Sequence, residues 1–339
     1  MLGTQAAHAQ SASGNQVLNW VLIALAAVLG ILAVIAVTDN MLQIEANKSG
    51  AAKRGNFSLF PSFSEFKKAK LPSFADRSKS HVLKNGHDIN LEGSIVDDGI
   101  HASHVNRFAV KPTDWRGIRP IPKMTVAEGD EVAAGDELFF DKDHPAVKFV
   151  APVSGEVIAI NRGEKRAITE VVILADKDQK YRAVPSIDVD NASREELVSF
   201  IQEYGGWTLI DQRPFNILAQ DIVPDNIFIS GFDSAPLAPD VAKTIAGRSE
   251  DFEAGIRLLN RLTEGTVYLG LNARKGADSA PVFERVSGVE KHYFSGPHPS
   301  GNVGVQIHHI NNIGRGEKVW TLRPADVAIL GGLVRRQVY

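Results

Sequence analysis

From Trp20 to Val37 the chain carries no charged or strongly polar side chain, and the run stops at Thr38-Asp39-Asn40. At 1.5 Å per residue a helix of that length is about 27 Å long, close to the hydrocarbon thickness of a bilayer. A signal peptide would need a basic stretch before the run and a small-residue cleavage site after it, and neither is present. A core helix is rarely apolar on every face over about five turns. The pattern predicts a transmembrane helix over 20–37. Farther along, Val126, Gly129, Val132, Gly135 and Leu138 recur as two short strands with glycine turns, and Val147–Val150 and Gly155–Ile158 read as strands about a Pro/Gly turn. Ser193–Tyr204 reads as an amphipathic helix with Ser193 at the N-cap and Glu196 completing a capping box. Asn226–Ser230 reads as a strand, Glu250–Leu262 as a helix with Phe252, Ile256, Leu259 and Leu262 on one face, and Thr266–Leu271 as a further strand. Alternation of helix and strand after residue 177 predicts an open α/β sheet.

Composition adds exclusions. Among 339 residues there is no cysteine, which removes disulfides, Cys-ligated clusters, thiolate zinc sites and a cysteine nucleophile. The net charge of −3 gives no general case for nucleic-acid binding. Charge distribution is more informative. No Lys or Arg precedes Trp20, whereas Lys48, Lys53, Arg54, Lys67, Lys68, Lys70, Arg77, Lys79 and Lys84 follow the apolar run, opposed between Lys48 and Lys84 only by Glu65 and Asp76. The positive-inside rule then places residues 1–19 outside as a tail, 20–37 in the membrane, and everything after it in the cytoplasm, beginning with a basic linker over 38–81. The mixture of Phe, Lys, Ser and Pro in Phe57–Phe74 suits either a headgroup-lying segment or a plain linker.

The paired strand–glycine pattern of residues 82–176 resembles the barrel-sandwich hybrid of lipoyl and biotinyl domains. In a carrier domain a hairpin lysine holds the swinging arm. Lys142, in Phe140-Asp141-Lys142-Asp143-His144, is the only candidate, and it lies one residue out of register before Ala151-Pro152. The bare scaffold, used as a docking module, is the reading adopted. Asn161–Arg166 reads as a solvated basic turn before a strand at Val171–Leu174.

Several segments together carry a wider resemblance. Phe139-x-Asp141-Lys142, Pro145-x-Val147-Lys148-Phe149-x-Ala151-Pro152, Asn161-Arg162-Gly163-x-Lys165-Arg166, Gly206-Trp207-Thr208 with Arg213-Pro214-Phe215, Leu262-Thr263-Glu264-Gly265-x-Val267-Tyr268 and Gly296-Pro297-His298-Pro299-x-Gly301 run in order. They are similar to segments of the A subunits of the Na+-translocating NADH:quinone oxidoreductases. The resemblance implies a barrel-sandwich hybrid followed by a Rossmann-like α/β domain over 177–339. It implies a peripheral subunit that docks on the membrane subunits of a redox-driven Na+ pump, with quinone as a possible substrate and flavins and NADH held by partner subunits. The expected location is the bacterial inner membrane, single-pass, with the main domains cytoplasmic. Two departures stand out: the apolar helix with its basic linker is outside the family pattern, and the chain ends at Tyr339 where family members continue.

Flavin-binding relatives of this superfamily carry a glycine-rich loop that brings backbone N–H groups to phosphate. The equivalent stretch here, Gly205–Phe215, has bulky side chains in place of the later glycines, and Phe232–Leu237 keeps one acid of an acidic segment. The expectation is that the chain binds no cofactor of its own and is not catalytic alone. Ten histidines raise a metal reading, but His308-His309 beside a strand-like run would point to opposite faces, and no helical His-x3-His occurs. His298, between two prolines, is a candidate for ligand or partner contact. Arg213 and Phe215 are stronger candidates, because Arg donates to a carbonyl and Phe stacks on a flat ring, and Trp207 joins them from the same motif. The alternative is that Arg213 pairs a carboxylate and Phe215 is core. Other functional classes remain: a membrane-fusion adaptor of a transport system, which the charge asymmetry and the absence of a long heptad hairpin disfavour; an accessory module of another respiratory complex; and a flavoprotein dehydrogenase, which the lost glycines disfavour.

Overall fold

The computed structural model describes residues 3–48, 71–89, 91–92, 99, 101 and 104–339. The chain divides into two units, residues 1–69 and 70–339. The described residues of the first form a single helix, α1 (Gly3–Lys48). Its segment Val17–Leu42 has a mean hydropathy of 3.0 and none of it is buried within the protein, so it is long and apolar enough to cross a bilayer. The helix is longer than the apolar run because its flanks, rich in Ala, Gln and Leu and free of Pro, are also good helix formers. The stretch 1–19, expected as a tail, is therefore helical from Gly3. Most of the aromatic and basic segment Phe57–Phe74 lies outside the described residues.

The second unit begins earlier than the expected linker boundary of residue 81. Ala75 is buried, Leu71 and Phe74 pack on the core, and β1 (Ser80–Val82) pairs in parallel with a strand more than 200 residues later. A three-residue strand is too short for periodicity to reveal, and its partner lies beyond any local signal.

The barrel-sandwich hybrid follows. Its strands are β2 (Arg107–Val110), β3 (Lys123–Met124), β4 (Glu131–Val132), β5 (Glu137–Asp141), β6 (His144–Val150), β7 (Gly155–Arg162) and β8 (Ile168–Ala175), arranged as sheets β2-β8-β7-β4 and β3-β5-β6. The two Gly-Asp turns are built alike. Gly129 (φ 91°) donates to Val157 O and Gly135 (φ 93°) to Ala151 O. The backbone N–H of Val157 and of Ala151 returns to Asp130 O and Asp136 O. Each Asp carboxylate accepts a 2.7 Å bond from the N–H three residues earlier, Ala127 and Ala133. The repeat read in the sequence is thus a structural repeat. Within the sheet β3-β5-β6 the cross-strand partners Phe139 and Phe149 stack at 4.7 Å.

The α/β domain comprises α2 (Arg194–Glu203), β9 (Asp211–Arg213), β10 (Ile217–Leu218), β11 (Asn226–Ser230), α3 (Val241–Thr244), α4 (Ser249–Leu262), β12 (Val267–Asn272), α5 (Pro281–Arg285), β13 (Glu290–Ser295), α6 (Val303–Ile310), β14 (Val319–Leu322) and α7 (Pro324–Arg336). The capping box of Ser193 and Glu196 forms as expected. The sheet order is β1-β13-β12-β11-β14-β9-β10, with β9 and β10 forming an antiparallel hairpin and β9 antiparallel to β14. Alternation sorts its side chains: Ile227, Ile229, Leu269 and Trp320 join the main core, whereas Phe228, Val319 and Tyr268 pack with Ile307 of α6 on the opposite face.

Candidate functional site at the strand crossover

In chain order β11, β12 and β13 step outward in one direction, and β14 then returns to the other side of β11. The strand order therefore reverses between β11 and β14, and in open α/β sheets ligands settle in the crevice beyond the carboxyl ends of such strands. A cleft of about 800 Å3 occupies that place. Ser230, Phe232 and Asp233 line it from the end of β11, Arg323 from the end of β14, Asp326 from the first turn of α7, Gly301–Val305 from the start of α6, and Asp211, Arg213 and Asn216 from β9 and its turn.

Arg213 is half-buried and precedes a cis proline. Its Nε is shielded from solvent and has no hydrogen-bond partner among the described residues. Burial pushes its guanidinium below the usual range, Asp211 opposes that shift, and Arg116 adds to it. Burial pushes the Asp211 carboxyl up, with Arg213 opposing. Asn216, held at φ 52°, also leaves its Oδ1 shielded and unpartnered at the cleft. A shielded, unpaired donor and a shielded, unpaired acceptor lining one cleft are unusual in a folded protein. Arg323, by contrast, is occupied: it bonds Asp326 at 2.8 and 3.2 Å, which raises its pKa.

The four residues expected to contact a ligand or partner separate. Arg213 lines the cleft, so the alternative in which it pairs a carboxylate does not describe its Nε. Phe215, two residues on, is 76% exposed and is not core. Trp207 is fully buried, donates from Nε1 to Ala219 O at 2.8 Å, and meets Trp320 edge to face at 5.3 Å. It has no free face for a ligand. His298 stands behind the cleft wall. Its Nδ1 lies 3.0 Å from Ser234 Oγ, which accepts from Gly301 N at 2.8 Å, so the imidazole props the loop that enters α6. Gln306 anchors the same wall by donating to Ser230 Oγ and Ser300 O.

Gly205 ends α2 at φ 82°, and a Cβ on it would strike Val150; one on Gly206 would strike Leu330. These glycines serve packing against the barrel and α7. His308 and His309 sit in the last turn of α6, a helix rather than a strand-like run, so the opposite-face argument does not apply to them. Among the described residues no three His, Asp or Glu side chains are gathered as metal ligands. Lys142 is exposed in the two-residue turn between β5 and β6, beside a buried Asp141 that accepts from Arg119 N at 3.1 Å and lies 3.0 Å from His144 Nδ1. Asn216, Asp211, Ser230 and Ser234 carry no motif that marks them in the sequence. Only Asn216 offers a hint, since Asn after Pro-Phe is a residue type that tolerates positive φ.

Two family models match in order: one described as the NqrA N-terminal barrel-sandwich hybrid domain, over residues 81–176, and one as the NqrA second alpha/beta domain, over residues 192–337. Among similar proteins, the A subunit of the Na(+)-translocating NADH-quinone reductase of Actinobacillus pleuropneumoniae serotype 5b is 36% identical over 258 residues. Its counterparts of the same name from Neisseria meningitidis serogroup A and Saccharophagus degradans are 38% and 34% identical over the same length. In each case the match covers 74% of this chain and 56% of the relative, so the chain spans a little over half the length of these relatives.

Proposed function

The chain belongs to the NqrA family, and from that premise we propose that it serves as an accessory subunit of a Na+-translocating NADH:quinone reductase. The observation that carries this reading is the ordered match of both globular domains to the family. In this role the subunit docks on membrane subunits and contributes to quinone interaction. NADH oxidation, quinone reduction and Na+ export are coupled by the assembled pump. Flavins and NADH reside in the partners, and this chain works by shaping a site rather than by carrying electrons. Helix α1 crosses the bacterial inner membrane once with its N-terminus outside. Support for that comes from its apolar length and from the basic residues that follow it.

The switch-point cleft is the place for quinone. The shielded Nε of Arg213 supplies a donor for a ring carbonyl, and the exposed ring of Phe215 follows two residues later in sequence. Hydrogen bonds from a charged donor contribute about 1.5–3 kcal/mol. Arg213→Gln is therefore expected to weaken binding of a short-chain ubiquinone to the detergent-solubilised full chain by about tenfold or more, with the thermal midpoint unchanged. Equilibrium dialysis measures the affinity. Equal affinity in the variant and the parent would remove Arg213 from the quinone site.

A further inference from the structure

Outside the cleft, a pair of imidazoles joins β1 to the sheet. His81 Nε2 lies 3.0 Å from His292 Nδ1, and His292 Nε2 lies 3.1 Å from Glu290 Oε1. Glu290 in turn pairs with Lys79 at 3.2 Å. The His81 ring stacks on His292 at 5.2 Å and on Phe294 at 4.7 Å between centroids. We propose that the His81–His292 pair is an acid-released latch that holds the segment 76–88 against the edge of the α/β sheet.

Proton bookkeeping gives the mechanism. With Glu290 accepting from Nε2–H of His292, Nδ1 of that ring is the bare acceptor for Nε2–H of His81. This arrangement requires His292 to be neutral, while His81 can donate from Nε2–H whether or not its Nδ1 carries a proton. A first added proton places a charge between half-buried rings packed on Phe294. A second leaves every ring nitrogen carrying hydrogen, and two donors then face each other across 3.0 Å.

The charged and titratable neighbours reinforce this. Lys79 comes from the latch segment itself, Glu290 from β13, and His308 and His309 from α6, with the His309 ring 6.1 Å from His81; Tyr268 of β12 meets His292 edge-on at 5.7 Å. Only Glu290 favours the charged rings, and Lys79 already engages it. Burial first, then His292 and His309, lowers His81 to about 4; burial likewise lowers His292, against the pull of Glu290. The sign follows. A histidine whose folded pKa is depressed takes up protons preferentially in the released state, so the latch is at full strength above about pH 6.5 and weakens as pH falls toward 4.

Release reaches the cleft wall. Beyond β1, Leu83 N donates to Ser295 O at 2.8 Å and His87 N to His298 O at 2.9 Å. The Asp88 carboxylate accepts from His298 N at 2.9 Å and pairs with Arg274 at 2.8 Å. The segment therefore braces the His298 loop, which props Gly301 through Ser234. The consequence for the cleft rests on the site proposed above; the latch itself does not.

Hydrogen–deuterium exchange of the full chain in detergent tests it, with labelling times scaled for intrinsic exchange and peptides of β12 as internal reference. A shift from 6.5 in the released state to about 4 in the latched state raises the opening of 76–88 roughly 25-fold between about pH 7.5 and pH 5. His81→Phe keeps a ring against Phe294 but cannot titrate, so its opening should change with pH far less than the parent's, with only the His292 contribution left. His292→Gln keeps an acceptor for His81 and loses one titrating ring, so its dependence should be shallower than the parent's. An unchanged opening of 76–88 in the parent protein across that range overturns the latch. So does an identical pH dependence in either variant.

Discussion

Gly331→Val is expected to destabilise the α/β domain strongly. Helices α4 and α7 meet backbone to backbone. A Cβ at Gly331 would fall within the Asp251 carbonyl and within 2.7 Å of Gly255 N, and one at Gly255 would fall within the Val327 carbonyl. No rotamer relieves a clash between Cβ and main chain, so the helices must separate. Separation also loosens Leu258, Leu259, Leu330 and Leu333, all fully buried at that contact. It strains the cluster in which Arg248, Arg335 and Arg336 surround the buried Asp251 carboxylate. Overpacking alone costs about 1–3 kcal/mol, and the lost core contacts add to it. A fall in thermal midpoint of about 10 °C or more follows for a domain of this size, unless the variant fails to accumulate at all. Circular dichroism of the purified protein measures it, and a midpoint within about 2 °C of the parent would show that the helices have room to yield.

Trp207→Ala is the second large effect, and it separates two residues that the sequence alone placed together. Removing a fully buried Trp that hydrogen-bonds Ala219 O and meets Trp320 is expected to cost about 3–5 kcal/mol. Phe215→Ala, at a position 76% exposed, should stay within about 0.5 kcal/mol. Urea titrations of both variants decide the matter. Equal stability in the two would mean that Trp207 is not part of the core as described.

The contrast shows where sequence reasoning stops. Local and periodic features were legible: the capping box at Ser193, the strand Asn226–Ser230, the helix ending at Leu262 and the doubled Gly-Asp turns all depend on neighbours within a few residues. The family motif around Arg213 was legible too, because several ordered segments are specific where one is not. Which of its side chains face a cleft depends on long-range packing. Trp207 and Arg213 sit six residues apart, yet Gly206–Leu209 forms a buried single-turn helix under α7 while β9 carries Arg213 into the sheet between β14 and β10. Pairing of β1 with β13 was hidden for the same reason, since the barrel-sandwich hybrid separates the two strands in the chain. So were Ser230 and Ser234, whose value lies in the reversal of strand order between β11 and β14.

The central claim is membership in a working pump. The most direct measurement is purification of the tagged full-length chain from its native membranes in mild detergent, with identification and stoichiometry of the proteins that accompany it. The account predicts that the flavin-bearing and membrane subunits of a Na+-translocating NADH:quinone reductase come with it in fixed proportion. Recovery of the chain alone, or with the channel of a transport system, would contradict it.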